Sequence, residues 1–410
     1  MSEISTVTIH SRGDRDLMKA MNRNLLLNIL RRERELSRTR LTEISGLSVG
    51  AVSGLINELI AEAWIFEAGA GEYTGGRRQV QLRLNPDAGY AIGLKLMENR
   101  VVGAVTDFGA RVLTYNDVPF APSIRSPEQV SRTIVEFIHT LRTTSAAYRR
   151  SERIFGIGIG LAGVIYSAEG IVHHSPFFGW RDVPLTQLIQ SQIHLPISLE
   201  NDVNTLTLSE QLFGMGRYHS NFIVMTIGRG VGMGIVAQGQ LYRGARGGAG
   251  EFGHIVLQTT GQNGSMETHT LEAIAADPAV VLAYQQHTTG KATWTIADIT
   301  HAAEAGDALA RTLLSASGTA LGIGLASVVN LLSPELIIVS GEGVVAGEFR
   351  LAPMRIALQQ HTFVGLQNQV EVKVVPTNDE AWARGAASLV LSKVFASPLG
   401  EGVTRSASTL

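Results

Sequence analysis

An α/β protein is predicted: a winged helix-turn-helix at the N-terminus, followed by a larger part built of two related lobes. Three observations carry this reading. From Leu36 to Leu59 the apolar spacing is that of two short helices around a glycine turn. At Asn85-Pro86-Asp87 that pattern breaks and the composition shifts. Beyond the break, short β-branched runs alternate with helical stretches in two series, and each series opens with a strand meander.

Taken in order, residues 1–15 are polar and expected to be mobile. A helix from Asp16 to about Arg34 carries an apolar stripe of Leu25, Leu26, Ile29 and Leu30. Ser37 can cap the next helix, whose apolar side is Leu41 and Ile44. Gly46 permits a sharp turn, and Ser48 can cap the second helix. Val52, Leu55, Ile56 and Leu59 then recur at three- and four-residue spacing, which buries one face. The opposite face carries Val49, Gly50, Ser53, Gly54 and Asn57, small uncharged groups that let a helix lie close against base edges. Asn57 suits adenine but could equally meet a phosphate. An ordinary helical hairpin would share this periodicity. The flank favours DNA: Arg12 to Arg40 holds nine Lys or Arg against four Asp or Glu, with Arg38 and Arg40 beside the motif. A hairpin wing is expected from Trp64-Ile65-Phe66 through a Gly-rich tip to Gln79–Leu84. Arg77 and Arg78 at that tip either reach a phosphate or narrow minor groove, or form a solvated loop.

In the larger part, strands are predicted at Tyr90–Leu96, Arg100–Asp107, Val112–Val118, Ile154–Gly160 and Ile197–Glu200, with a helix over Pro127–Tyr148. The second series has strands at Phe222–Ile227, Gly232–Ala237 and Leu336–Ser340 and a long helix near Ala308–Leu332. A last helix, Glu380–Phe395, is expected to return to the first lobe. The domains are therefore 16–84, 88–200 completed by 380–395, and 201–379, with a disordered tail at 396–410. Net charge is only −2, so nothing global demands a nucleic-acid or membrane partner. Cysteine is absent, which excludes disulfides and thiolate metal sites. No apolar run is read as approaching a membrane span, and the N-terminus has no signal-peptide core. A cytoplasmic protein is expected.

Four segments carry the chemistry: Gly156 to Gly163 with the apolar stretch Ser175 to Trp180; Glu200-Asn201-Asp202-Val203-Asn204; Gly228 to Gly234; and Gly247 to His254, followed by Asn263 to Glu267. Asn, Asp, Glu and His on loops suit a polyhydroxylated ligand, whose hydroxyls both donate and accept. Nearby glycines would let backbone approach the ring. Taken singly, Asp202 could simply cap a helix, Glu251 could be a surface carboxylate and His254 an interior histidine.

Together the segments resemble the ROK family of sugar-responsive repressors and sugar kinases, over nearly the whole chain from about Leu17 to Phe395. The resemblance implies an actin-like, hexokinase-like two-lobed fold. It implies sugar ligands at Asn201, Asp202, Glu251, His254 and Glu267, with Asp202 the general base in a kinase. The N-terminal winged motif places the chain on the repressor branch. Three departures follow from the same comparison. Kinases of the family read Asp-x-Gly-Gly-Thr where this chain has Lys95-Leu96-Met97-Glu98-Asn99, so the glycines that expose phosphate-binding amides are gone and Glu98 would repel a phosphate. Their Gly-Thr-Gly becomes Gly228-Arg229-Gly230. The zinc cysteines fall on Gln258, Thr260 and Ser265, which leaves His254 alone, and no metal is expected. Lys95 and Arg229 either hold the phosphate of a sugar phosphate or, in the plainer reading, Arg229 pairs with Asp202 or Glu98 and fills an abandoned nucleotide site. The expected function is a sugar-responsive transcriptional regulator, a repressor acting as a homodimer or dimer of dimers on operator DNA, with no cofactor. The alternatives are an ATP-dependent sugar kinase and a regulator controlled by a sugar-transport protein.

Overall fold

The computed structural model describes residues 11–70, 79–121, 125–145, 153–260, 266–288 and 293–397. Its first helix, Ser11–Glu33, starts ahead of the expected Asp16; residues 1–10 of the expected mobile segment and the tail from 398 lie outside the described residues. The buried arc of this helix is Leu26, Leu27, Ile29 and Leu30, whereas Leu25 is 40% exposed. Leu26, Ile29 and Leu30 of the predicted stripe are thus buried, and Leu27 takes the place expected for Leu25.

Helices Arg38–Ser45 and Val49–Ala61 are bent 119° to one another. Local chemistry sets their ends. The Ser37 hydroxyl accepts from the Arg40 amide at 3.2 Å and the Ser48 hydroxyl from Ala51 at 3.3 Å. Gly46 closes the first helix at φ 67°, where a side chain would be strained. Strands Ile65–Ala70 and Val80–Leu84 form the wing, and Leu36–Ser37 adds a third, edge strand that two residues of sequence could not announce. Arg77 and Arg78 fall outside the described residues.

Behind the wing there is a turn at Pro86–Ala88 but no gap in packing. The core formed by Leu30, Leu41, Ile56 and Leu59 runs on into Phe108, Val390, Leu391 and Phe395. Trp64 stands edge-on to Phe108 at 5.4 Å and stacks on Phe155 at 5.9 Å; Phe108 stacks on Phe395, which meets Phe213 edge-on.

Two five-stranded sheets follow. The first holds Tyr90–Leu96, Arg100–Thr106, Val112–Pro119, Ile154–Leu161 and Ile197–Asn201; the second holds Phe222–Ile227, Val231–Ala237, Gln240–Leu241, Leu336–Ser340 and Glu371–Val374. Both have the spatial order third, second, first, fourth, fifth, with the fourth and fifth strands parallel to the first. The repeated rhythm read from the sequence is thus a repeated topology. The helix expected to end at Tyr148 ends at Thr144. The small sheet Val164–Tyr166, Ile171–Ser175, Trp180–Val183 was not foreseen, nor was the hairpin Val256–Thr260 with Met266–Thr270, because these short strands include polar, partly exposed segments without a continuous apolar run.

Helices Asp202–Phe213 and Asp379–Phe395 pack against each other and against strands of the first sheet, and Asp202–Phe213 also meets the second sheet. Glycines make this possible. A Cβ at Gly93 or Gly158 would sit 2.0 or 1.8 Å from the carbonyls of Ala383 and Ala386. Gly160 and Gly234 likewise make room for Thr205 and Thr207 of the other helix. Of these, Gly158, Gly160 and Gly234 belong to segments expected to let backbone approach a sugar ring, and they admit helices instead. One further expectation is overturned: Ala308–Leu332 is long and apolar enough to cross a membrane. Its Leu314, Leu321, Leu325 and Val329 are buried in the fold of the second lobe.

Candidate functional site

The site is built where strand Ile197–Asn201 feeds helix Asp202–Phe213. Asn201 is the helix N-cap: its Oδ1 accepts from the amides of Val203 at 2.9 Å and Asn204 at 3.2 Å, and its Nδ2 donates to the Gly163 carbonyl at 3.0 Å. Beneath it, Glu200 is fully buried. Its Oε1 accepts from the Asn201 amide at 2.9 Å and Asn204 Nδ2 at 3.1 Å, and its Oε2 from Arg243 Nε at 2.6 Å. Glu200 belongs to the first sheet and Arg243 follows the second, so this pair ties the lobes together. Glu200 lies in the Glu200–Asn204 run read from the sequence, but its pairing with Arg243 was not predicted, because an ion pair between residues far apart in the chain leaves no local spacing to read.

Asp202 opens the helix, 7% exposed. Its Oδ1 accepts from the Val203 amide at 3.0 Å and its Oδ2 lies 2.9 Å from Lys95 Nζ. Lys95 is itself buried, with its ammonium 3.3 Å from the centroid of the Trp382 ring. The Trp382 indole donates to Glu342 at 2.8 Å.

Opposite lies the turn Phe252–His254, which Glu251 precedes. His254 Nε2 is 3.9 Å from Glu251 Oε2. Burial pushes the Glu251 carboxyl above its usual range; His254 opposes this, and the carboxylates of Glu272 and Asp202 add to it. Glu251, His254 and Asp202 therefore share one field, with Asn201 beside Asp202. Glu267 does not join them: it lies exposed on the hairpin and pairs with His269 at 3.2 Å. The carboxylate that does arrive is Glu272, whose Oε2 accepts from the Val231 amide at 3.0 Å and sits against Gly230 and Gly253. Glu272 was not predicted; the resemblance led instead to Glu267, five residues before it in the chain.

Lys95 and Arg229 are both engaged. Arg229 Nη2 is 2.5 Å from Glu98 Oε2, and its guanidinium lies over Phe177 at 4.9 Å. This is the plainer of the two readings of Arg229, with Glu98 as the partner; the free pair of phosphate-binding cations that the other reading needed is not present. Among the described residues no three His, Cys, Asp or Glu are grouped to hold a metal. The zinc that the family implies does not fit, since the chain has no cysteine and the His254 side chain is 66% exposed beside Glu251. A cavity of about 730 Å³ between Leu257, Ile274, Arg311 and Ile323 lies at the hairpin, apart from these groups.

The second helix of the winged unit presents an open face. Val49 is 74% exposed, Ser48, Gly50 and Asn57 are exposed and Ser53 is half-buried. A Cβ at Gly50 or Gly54 would meet nothing within 4 Å. Arg38 donates to Asn57 Oδ1 at 3.1 Å and to Glu67 at 3.1 Å, while Arg40 pairs with Glu43 at 2.8 Å. Arg38 and Asn57, both expected to contact DNA, thus hold each other beside this exposed face.

The winged unit also grips the far end of the cleft helix. Arg31 donates to the Leu212 carbonyl and lies over the Phe395 ring, and burial lowers its guanidinium to about 10. Asn28 donates to the Phe395 carbonyl at 2.8 Å and Tyr218 to that of Arg32 at 3.2 Å.

Comparison with known proteins agrees with this architecture. The ROK family matches residues 92–393. A xylose repressor of Caldicellulosiruptor bescii is 29% identical over 94% of this chain and 99% of its own length. The crystal structure of a ROK family transcriptional regulator, described as a homologue of the E. coli MLC protein, superposes with a TM-score of 0.78 at 25% identity, over 95% of this chain and all of that one. A ROK family glucokinase from Streptomyces griseus, in complex with glucose and AMPPNP, gives a TM-score of 0.61 at 27% identity and covers 73% of this chain and 99% of its own. Helix-turn-helix, duplicated sheets, cleft and matched residues lead to one assignment: the chain belongs to the ROK family.

Proposed function

We propose that this protein is a sugar-responsive, DNA-binding transcriptional repressor whose effector is a monosaccharide bound at Asn201, Asp202, Glu251, His254 and Glu272. The observation that carries the reading is the helix Asp202–Phe213. One end belongs to the polar cleft, and the carbonyl of Leu212 at the other is held by Arg31 of the winged unit. A ligand that moves this helix moves the DNA-binding unit. It shifts operator affinity only if it prefers one arrangement over the other. The winged unit would contact DNA through Arg38, Arg40, Ser48, Val49, Gly50, Ser53 and Asn57, with Arg77 and Arg78 on the wing. In a homodimer, the spacing of two such helices sets the match to an inverted repeat.

D-xylose is the first effector to test, because the similar full-length relative is named a xylose repressor. The experiment is a gel-shift titration of promoter DNA beside carbohydrate genes, with D-xylose, D-glucose and N-acetylglucosamine as releasing agents. Asp202→Asn should retain DNA binding and lose release. DNA binding that no sugar alters would overturn the effector role and move a sugar-transport protein partner forward.

The glucokinase likeness supports a second reading, a sugar kinase with Asp202 as base. Lys95 argues against it, because it occupies the carboxylate that would take the proton. Steady product formation from ATP, magnesium and a hexose panel would reverse this ranking; none is expected.

A further inference from the structure

Around the cleft the charged groups form one connected set. Lys95 touches Asp202 and the Trp382 ring, and Trp382 donates to Glu342. Glu342 lies against Gly228, next to Arg229, and Arg229 returns to Glu98 in the loop that follows the Lys95 strand. Glu272 lies against Gly230 and acts on Glu251, as Asp202 does. Within this set the carboxylates Glu98, Asp202, Glu251, Glu272 and Glu342 outnumber the cations Lys95 and Arg229, with His254 and His174 also acting on Glu251. Each cation has its carboxylate within ion-pair distance and its other side against an aromatic ring.

We infer that Lys95 and Arg229, sequestered by Asp202 and Glu98, make the cleft select an unphosphorylated sugar and reject its phosphate ester. This rests on the reading of the cleft as the effector site. A phosphate monoester brings close to two negative charges. To be held it would have to draw Lys95 away from a buried Asp202, or Arg229 away from Glu98, and leave that carboxylate facing it. A neutral sugar needs only hydroxyl contacts and disturbs neither pair. The sensor therefore reads the sugar before any kinase acts on it. In a reaction sequence, it reports the substrate of a phosphoryl-transfer step and not the product.

The test is calorimetric titration of the full chain with D-xylose, D-glucose and N-acetylglucosamine, and with xylose 1-phosphate, glucose 6-phosphate and N-acetylglucosamine 6-phosphate. The free form of whichever sugar binds should bind at least about 100-fold more tightly than its ester, a gap of about 2.8 kcal/mol. Glu98→Gln removes the partner of an exposed arginine and should narrow the gap about threefold. On the unaltered protein, raising the salt concentration should narrow it as well, because the ester is rejected by charge. Equal or tighter binding of an ester, or a gap that neither Glu98→Gln nor salt changes, overturns the inference. Binding of no sugar in either form is a different result: it removes the effector site itself and this inference with it.

Discussion

Lys95 and Arg229 are both cations paired with carboxylates, yet burial gives them different weights. Lys95 and Asp202 have side chains only 11% and 10% exposed, so removing one partner leaves a charge with little water to receive it. Lys95→Met should cost about 3–5 kcal/mol in a denaturant titration. Arg229 and Glu98 are 61% and 38% exposed, and Arg229→Ala should cost under about 1 kcal/mol. Glu251 supplies a pH dependence. Its carboxyl is raised by burial, so the folded protein holds that proton at pH values where the unfolded chain has released it. Stability contributed there is lost as pH climbs from the ordinary carboxyl range through the raised value. Asp107 and Asp277 are raised by burial too and act in the same direction. Glu251→Gln should make the decline in urea midpoint shallower as pH rises above the ordinary carboxyl range; an unchanged profile would show that the buried aspartates account for it.

Among the elements, the two central helices depend on residues that look unremarkable in sequence. Gly93 and Gly158 bring strand backbone against helix Asp379–Phe395. Gly158→Ala would force its Cβ into the Ala386 carbonyl, so a loss of about 1–3 kcal/mol or more is expected, read as a lower melting temperature. The helix-turn-helix rests on caps. Ser37→Ala should destabilise it by about 1 kcal/mol, visible as faster amide exchange in Arg38–Ser45. Helix Asp202–Phe213 is the element that touches both functions. Arg31→Ala removes its C-terminal partner from the winged unit, along with the stacking on Phe395. The expected outcome is a separation: sugar still raises the melting temperature, but DNA release by that sugar weakens.

At the scale of the molecule, one topology is used twice, and the winged unit is sewn onto the result by a continuous core instead of hanging from a linker. The lobes are joined across the cleft by Glu200–Arg243 and Glu98–Arg229. An effector that binds only the folded state should stabilise the whole chain, by about 2.7 kcal/mol at a hundred times its dissociation constant. A melting temperature that D-xylose and the other sugars leave unmoved would count against a bound effector.

The sequence by itself determined whatever depends on near neighbours. Ser37, Gly46 and Ser48 mark helix ends because a cap or a left-handed turn involves residues only a few positions away. The two strand series were legible because alternation and meander length are local, and the Glu200–Asn204 run was legible because a strand end and a helix start adjoin there. Only the tertiary structure decided the partners. Lys95 could have met a phosphate, and it meets Asp202; Glu267 could have met a ligand, and it meets His269, while Glu272 takes the cleft. Gly158 and Gly160 could have faced a sugar, and they face helices, while Gly156 and Gly163 lie against Pro196 and His174. An ion pair or a close backbone approach joins residues far apart in the chain, and neither spacing nor composition encodes which distant group the fold will bring to a given side chain.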